Sequence, residues 1–458
     1  MEVKMMSEII IHAQEKINQD IETALLNEEI NDFRSEFLKI HPYDQSEFFE
    51  AQNEEIRHLI YGYLSPEEMA NVIEHVADDR SGEFIVEMVP QYAAQVLAKL
   101  PTDDAVDILN DLDKNKVASY LTIMSTDESD AIKELLHYEE KTAGSIMTTE
   151  YVAVTIDMTV KEAMRHLRKS APDAETIYYI YVIDHNRQLI GVMSLRELLI
   201  AEGKLTVEEA VNRQVVSVSV GDDQEDIARM MRDYDFIALP VVDFQNHLLG
   251  IITVDDIMDV MEEEASEDYS KLAGVDVDSV DENPLVAAKK RLPWLIILLF
   301  LGLFTASIIA RFEETLEQVA LLAIFIPLIA GMAGNTGTQS LAVAVRGITT
   351  GEYQKQGLFK MMIRESLTGL ITGVVCGLSI WLIIFVWQGT LFLGFLVGLS
   401  IAITLLVATI SGAFVPLLMH RMNVDPAVAS GPFITTINDI ISITIYFGMA
   451  TMFMQFLL

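Results

Sequence analysis

A single cysteine, Cys376, is all that this 458-residue chain offers, and it lies in an apolar stretch. That excludes a disulfide framework and a thiolate zinc cluster. Basic residues are scarce as well: 31 Lys and Arg stand against 68 Asp and Glu, a formal charge of −37. A surface of that sign repels phosphate backbones, so cations are the natural partners and nucleic acid is not one. The nine histidines are scattered, no nucleophile stands beside a base, and no Gly-rich phosphate loop appears, so an enzyme is not expected. No signal peptide opens the chain either, because MEVKMMSEIIIHAQEKINQD turns charged before any long apolar run.

What is present is apolar residue, 51% of the chain, with a mean hydropathy of +0.31. So much apolar and so much acidic surface cannot share one globule, and the two are segregated. Residues 292 to 458 hold 6 Lys and Arg and 7 Asp and Glu, net −1; residues 1 to 291 hold 25 against 61, net −36. An acidic soluble half precedes a nearly neutral membrane half.

A hydrocarbon core about 30 Å thick needs roughly 20 apolar helical residues to cross it. Five stretches qualify, at about 293 to 311, 318 to 344, 365 to 387, 391 to 419 and 427 to 457. Lys289, Lys290 and Arg291 precede the first, Arg346, Lys355, Lys360 and Arg364 fall between the second and third, and Arg421 falls between the fourth and fifth. Only Arg311 lies on the other side, which places the acidic half in the cytoplasm and the C-terminus outside.

Polar residues inside spans carry information, since an anchor needs none. The fifth span reads DPAVASGPFITTINDIISITIYF, with Asp439 mid-membrane and Thr435, Asp439, Ser442 and Tyr446 spaced to share one helical face. A carboxylate at a helix centre costs about 2.5 to 3.5 kcal/mol on insertion scales. Two readings follow: an ion path, or an Asp buried against a donor such as Asn335 to fix packing. The second span holds MAGNTGTQS, in which Gly331, Gly334 and Gly337 allow close backbones while Asn335, Thr336, Thr338 and Gln339 bring polar atoms to depth. Helix packing alone, or a hydrated oxygen-lined path, fits that pattern. Asp425-Pro426 reads either as the cap of the fifth helix, with Pro at its first position, or as a carboxylate at the inner mouth.

In the acidic half, residues 1 to about 140 read as all-helical, with starts marked by Ser65-Pro66-Glu67-Glu68, Thr102-Asp103-Asp104 and Ser125-Thr126-Asp127-Glu128. The pattern then changes to strands and helices and occurs twice. VIDHNRQLIGVMSLRELL and VVDFQNHLLGIITVDDIM align without a gap at an offset of 59. The following helix, VDDIMDVMEEEASEDYSKL, sets Asp256, Asp259, Glu263 and Glu267 in one stripe. Like charges four apart cost a few tenths of a kcal/mol each. A bound divalent cation removes that cost, and a solvated acidic face is the simpler reading.

The repeat resembles a CBS-domain pair. The Gly-h-h-Thr-x-x-Asp pattern that contacts a nucleotide ribose in such pairs is met by Gly250, Thr253 and Asp256 and partly by Gly191, Ser194 and Glu197, so an adenine nucleotide such as ATP is one expectation. With HPYDQSEFF, AETIYYIYVID, ASEDYSKL, GNTGTQS and VDPAVASGP...TTINDI, the whole chain resembles the MgtE family of magnesium channels. The resemblance implies a homodimer in a plasma membrane that takes up Mg²⁺ and is closed by intracellular Mg²⁺ held between acidic domains. It implies a multidomain α-helical membrane protein: a helical N domain at 1–140, CBS domains at 141–203 and 204–262, a plug helix and linker at 263–291, and a five-helix pore domain at 292–458. The family's pore carboxylate falls on Asp439, with Asn335, Thr336, Gln339, Thr435 and Ser442 as lining candidates. Its regulatory acids fall on Asp103, Asp107, Asp223, Glu225, Asp235, Asp256, Asp259, Glu264, Glu267 and Asp268. Two departures bear on ion discrimination: MAGN stands where a double glycine before Asn is common, and Gly431 where some relatives have Asn. A transporter of Mn²⁺ or Co²⁺ shares every feature above; a non-conducting Mg²⁺ or nucleotide sensor shares the acidic half but has no need of Asp439.

Overall fold

The computed structural model describes residues 17–76, 78–275, 283–351, 357–422, 424–426 and 429–457, without the side chains of Asp78, Asp79 and Asp127. Lys355, the expected linker segment 276–282 and the cap residue Asp127 as a side chain therefore lie outside the described residues. The chain divides into two compact units, Met1–Met261 and Glu262–Leu458.

The first unit opens with short helices from Ile30–Phe37 to Thr126–Leu135. Ser65 and Ser125 form the expected capping boxes with Glu68 and Glu128, each satisfying two backbone donors at a helix start. The third expected cap is different. Helix α1 (Thr102–Asn110) already includes Thr102, has Pro101 before it and no side-chain cap. Thr102 instead bonds Glu150 and Thr149 (3.1 Å to the latter). Phe33, Phe37, Phe49, Ile60 and Phe84 are fully buried and hold the helices together, each burial worth roughly 1.5 to 3 kcal/mol.

The sequence repeat is a repeat of structure. Strands β1 (Ala153–Thr155), β2 (Tyr179–Ile183) and β3 (Leu189–Ser194) form one sheet, and β4 (Val218–Ser219), β5 (Ala238–Val242) and β6 (Leu248–Thr253) form the other. In each, the first pair is parallel and the second antiparallel. Val182 pairs Gly191 and Val241 pairs Gly250, and both sheets shift register at the next residue, so even the irregularity recurs at 59. The copies meet through Leu189 N to Asn246 O (2.9 Å) and Leu248 N to Arg187 O (3.1 Å), over a core of Tyr181, Leu189, Leu248 and Ile251. Helix α2 (Val254–Ala273) leaves the end of β6.

The second unit contains α3 (Pro284–Ala310), α4 (Leu322–Thr349), α5 (Leu358–Gln388), α6 (Leu391–Arg421) and α7 (Gly431–Met452). Four of these are long and apolar enough to cross a membrane, and α4 is not among them. Its 28 residues suffice in length, but Asn335, Thr336, Thr338 and Gln339 dilute its apolar run. The expected fifth span starts late: α7 begins at Gly431 after Ser430, with Pro432 in its first turn, so Asp425-Pro426 does not cap it. Helices α5 and α6 approach backbone to backbone. A Cβ on Gly373 would stand 2.6 Å from the Ala402 carbonyl oxygen, and Gly369 and Gly377 continue the same small-residue seam. Helix α3 buries no residue within the chain, and Leu299, Phe300 and Phe304 are exposed.

Candidate functional site

Three groups of acids matter, two of them on either end of α2. In the first unit the buried Asp103, the half-buried Asp104, Glu150 and Asp256 and the exposed Glu74, Glu175 and Asp255 stand within electrostatic reach of one another. Asp103 is only 5% exposed, and its Oδ1 has no hydrogen-bond partner among the described residues. An ionised oxygen in that position is costly unless a cation reaches it. Burial, then Asp256 and Asp104, pushes the Asp103 carboxyl well above the usual range. Burial, with Glu74 and Asp256 adding repulsion, pushes Asp104 up to about 8. Glu175 is pushed up to about 7 by burial and then by Asp256 and Asp255. Asp256 is raised by burial against the opposing pull of its bond to Thr253. Among the described residues no three His, Cys, Asp or Glu stand ready-spaced around one metal position. Mg²⁺ needs only one or two carboxylates and keeps several waters, so the donor set of hard oxygens fits it.

Sequence reasoning named Asp103 and Asp256, and the fold brings these two together. It missed Asp104, Glu74, Glu150, Glu175 and Asp255, which come from separate helices and loops and share no spacing. Asp107 is exposed one turn from Asp104 and adds to its repulsion. The remaining acids of this unit hold local structure: Asp223 caps the helix Gln224–Tyr234 through Glu225 N (2.9 Å), Glu225 pairs with Arg229 (3.0 Å), and Asp235 ends that helix with a left-handed backbone. Asp259 is exposed. Thr253 is buried, and its hydroxyl and N–H both donate to Asp256, the start of α2.

The second group lies at the far end of α2. Lys271 Nζ stands 2.6 Å from Glu267 and 2.5 Å from Asp425, so the inner-mouth reading of Asp425 has a structural counterpart. Burial, then Asp425, pushes Asp268 up to about 6, against the pull of Lys271; Glu264 and Glu267 add to the push. Leu272 packs on a cluster of Leu341, Val345, Ala429 and Ile434, seating this helix end against α4 and α7.

The third is in the membrane helices. Asp439 is half-buried at the middle of α7, and among the described residues its carboxylate has no hydrogen-bond or ion-pair partner. Packing against Asn335 is therefore not what holds it. Gly334 of α4 lies opposite; a Cβ there would be 3.8 Å from Asp439 Oδ1. Asn335 and Gln339 are exposed and Thr336 half-buried, so α4 keeps amide groups free. The stripe expected on α7 is partly spent. Thr435 donates to Pro432 O (2.8 Å), Ser442, fully buried, donates to Asp439 O (2.9 Å), and Tyr446 donates to Leu322 O (2.9 Å). Two further residues were not legible. Glu365 is 6% exposed beside Ser340 (3.2 Å) and sat next to Arg364 at a span edge, and Asn438 is 1% exposed.

Models of three families match the chain: a divalent cation transporter, MgtE, over residues 326–449, the MgtE intracellular N domain over 40–141, and the CBS domain over 143–204 and 207–263. A protein named magnesium transporter MgtE from Enterococcus faecalis is 50% identical over 94% of this chain and 96% of its own length. The chain belongs to the MgtE family. The soluble part of a magnesium transporter, solved as a crystal structure, is 47% identical with a TM-score of 0.54, covering 55% of this chain and 99% of its own. The cytosolic domain of the Mg²⁺ channel MgtE, crystallised with ATP, is 37% identical with a TM-score of 0.50, covering 53% of this chain and 99% of its own. The family thus accounts for the helical domain, the doubled sheet and the apolar helices together.

Proposed function

We propose that this MgtE-family protein conducts Mg²⁺ across the cell membrane and is closed by Mg²⁺ on the cytoplasmic side. The observation that carries it is Asp439: a carboxylate at the centre of an apolar helix, half-exposed and without a partner among the described residues, is kept for a mobile cation. A homodimer doubles it, and two carboxylates around a hydrated ion suit a metal that dehydrates reluctantly. Asn335, Thr336, Gln339 and Thr435 line the approach, and Ser442 holds the backbone beneath. The protein carries ions and catalyses no reaction. Its domains follow the limits at 140, 203, 262 and 291, with the N-terminus inside and the C-terminus outside.

Closure uses the acids around Asp103 and Asp256, with Asp107, Asp223, Glu225, Asp235 and Asp259 as further regulatory acids, and those around Asp268, with Glu264 and Glu267. Without cation, the buried carboxylates repel; Mg²⁺ reaching them removes the repulsion and holds the arrangement shut. ATP at the doubled sheets is supported by the ATP-bound relative, with Thr253 and Asp256 at the turn. The test is Mg²⁺ flux into proteoliposomes carrying the full chain or Asp439→Ala, with Mn²⁺ and Co²⁺ as competitors. Loss of flux in the variant is expected; full flux would sink the proposal, and preference for Mn²⁺ or Co²⁺ would reassign the cargo.

A further inference from the structure

The residue before Asp439 is wholly inside the protein. Asn438 is 1% exposed, and its Oδ1 lies 2.5 Å from Ser411 Oγ on α6. Its other end, Nδ2, is buried with no hydrogen-bond partner among the described residues and faces Gly337 of α4, where any Cβ would collide with it. Gly337 is itself in backbone contact with α6, since a Cβ on Gly412 would collide with the Gly337 carbonyl oxygen. Ser411 also donates to Ala408 O (3.0 Å), so its one proton is shared between two acceptors, or the amide is turned to donate to it. In either orientation one end of the amide is fixed by α6 and the other is pressed on bare backbone of α4.

This placement fixes more than packing. Consecutive helical residues project about 100° apart. With Asn438 locked in the junction of α4 and α6, Asp439 must project to the side of it, past Gly334. A carboxylate about 6 Å from the helix axis moves about 2 Å for a 20° rotation. Mg²⁺ tolerates little departure from octahedral geometry, whereas larger or softer ions tolerate more. An apolar residue of the same size would fill the space equally well but would leave the rotation free, and a buried amide with an unsatisfied end is a poor choice for packing alone.

We propose that Asn438 is a positioning residue: clamped between Ser411 and Gly337, it sets the rotation of α7 and so the aim of Asp439, and thereby the preference for Mg²⁺ over other divalent cations. The inference rests on the reading of Asp439 as the ion-path carboxylate. The experiment is flux of Mg²⁺ and Mn²⁺ in proteoliposomes of the full chain with Asn438→Leu, Ser411→Ala, their combination, and Asp439→Ala. Asn438→Leu should lower the ratio of Mg²⁺ to Mn²⁺ flux about tenfold, the order expected from losing one buried hydrogen bond. Ser411→Ala should shift it the same way by about threefold, and the combination should equal Asn438→Leu alone. An unchanged ratio in Asn438→Leu, even with less total flux, overturns the proposal. Should that variant fail to assemble, an unchanged ratio in Ser411→Ala overturns it equally. Full flux in Asp439→Ala instead overturns the underlying reading of the ion path.

Discussion

Replacing Asp103 and Asp104 by Asn should let the first unit stay compact without Mg²⁺. Asn keeps the shape and removes the charge, so the apolar contacts of α1 through Ala105, Val106, Ile108 and Leu109 are untouched. The Asp104 carboxyl is displaced from 3.8 to about 8, which at about 1.4 kcal/mol per tenfold change in proton affinity corresponds to ~6 kcal/mol of penalty on the charged form. Neighbours share that penalty and water relaxes part of it, leaving ~2 kcal/mol for Asp103 and Asp104 together in the compact state. Two kcal/mol is about 30-fold in an equilibrium. Limited proteolysis of the full chain in chelator reads the open fraction directly. The double variant should be cut about 30-fold more slowly than the natural protein and should gain little further protection from Mg²⁺. Equal lability in chelator would refute the reasoning, because repulsion among these acids would then not be what opens the unit.

Protons should imitate Mg²⁺ at the same place. The raised carboxyls of Asp104, about 8, and Glu175, about 7, bind protons in the compact state where the opened chain binds none. Compactness in chelator is therefore favoured increasingly as pH falls from about 8 toward 4, and that gain is lost as pH climbs back through 7 and 8; a protection profile flat over this range contradicts it. Lys271→Gln removes the ammonium between Glu267 and Asp425, a partly exposed pair worth up to about 1 kcal/mol. Flux should then need up to about fivefold different internal Mg²⁺ for half-closure, with a steeper dependence because Asp268 and Asp425 must be neutralised by metal instead; an unmoved curve counts against the contact. Neutralising Asp256, Asp259 and Glu267 together should shift the Mg²⁺ concentration for closure in patch recordings, and an unchanged closure curve argues against their part in it. Gly337→Ala should uncouple α4 from α7 and abolish flux while leaving the first unit's protease protection intact, since the added methyl would collide with Asn438 and crowd Ile434 at 3.1 Å, both on α7.

The doubled sheet was legible because its two copies differ in side chains but keep the pattern that sets register: Gly191 and Gly250 occupy the same pairing position. Asp439 was legible because a lone carboxylate in an apolar helix has a cost that spacing cannot hide. The rest depends on what folds beside what. Asp104 reads in the sequence only as part of a helix start, and it is burial with the approach of Glu74 and Asp256 that raises its carboxyl. Ser442 and Tyr446 had the right period for a polar path, yet hydroxyls in apolar surroundings can equally satisfy backbone carbonyls, and these do. Asn438 was invisible because burial, not sequence, separates it from Thr435 and Thr436 on the same helix. The start of α7 was misjudged because Asp425-Pro426 carries a cap's composition while its carboxylate is spent on Lys271.

On the proposed function, one cation is both cargo and clasp. Mg²⁺ entry into vesicles holding the full chain, measured while internal Mg²⁺ is stepped upward, tests it directly. Entry should be fast at low internal Mg²⁺ and fall away as internal Mg²⁺ rises; entry that continues unchanged, or that never occurs, contradicts the double role of the ion.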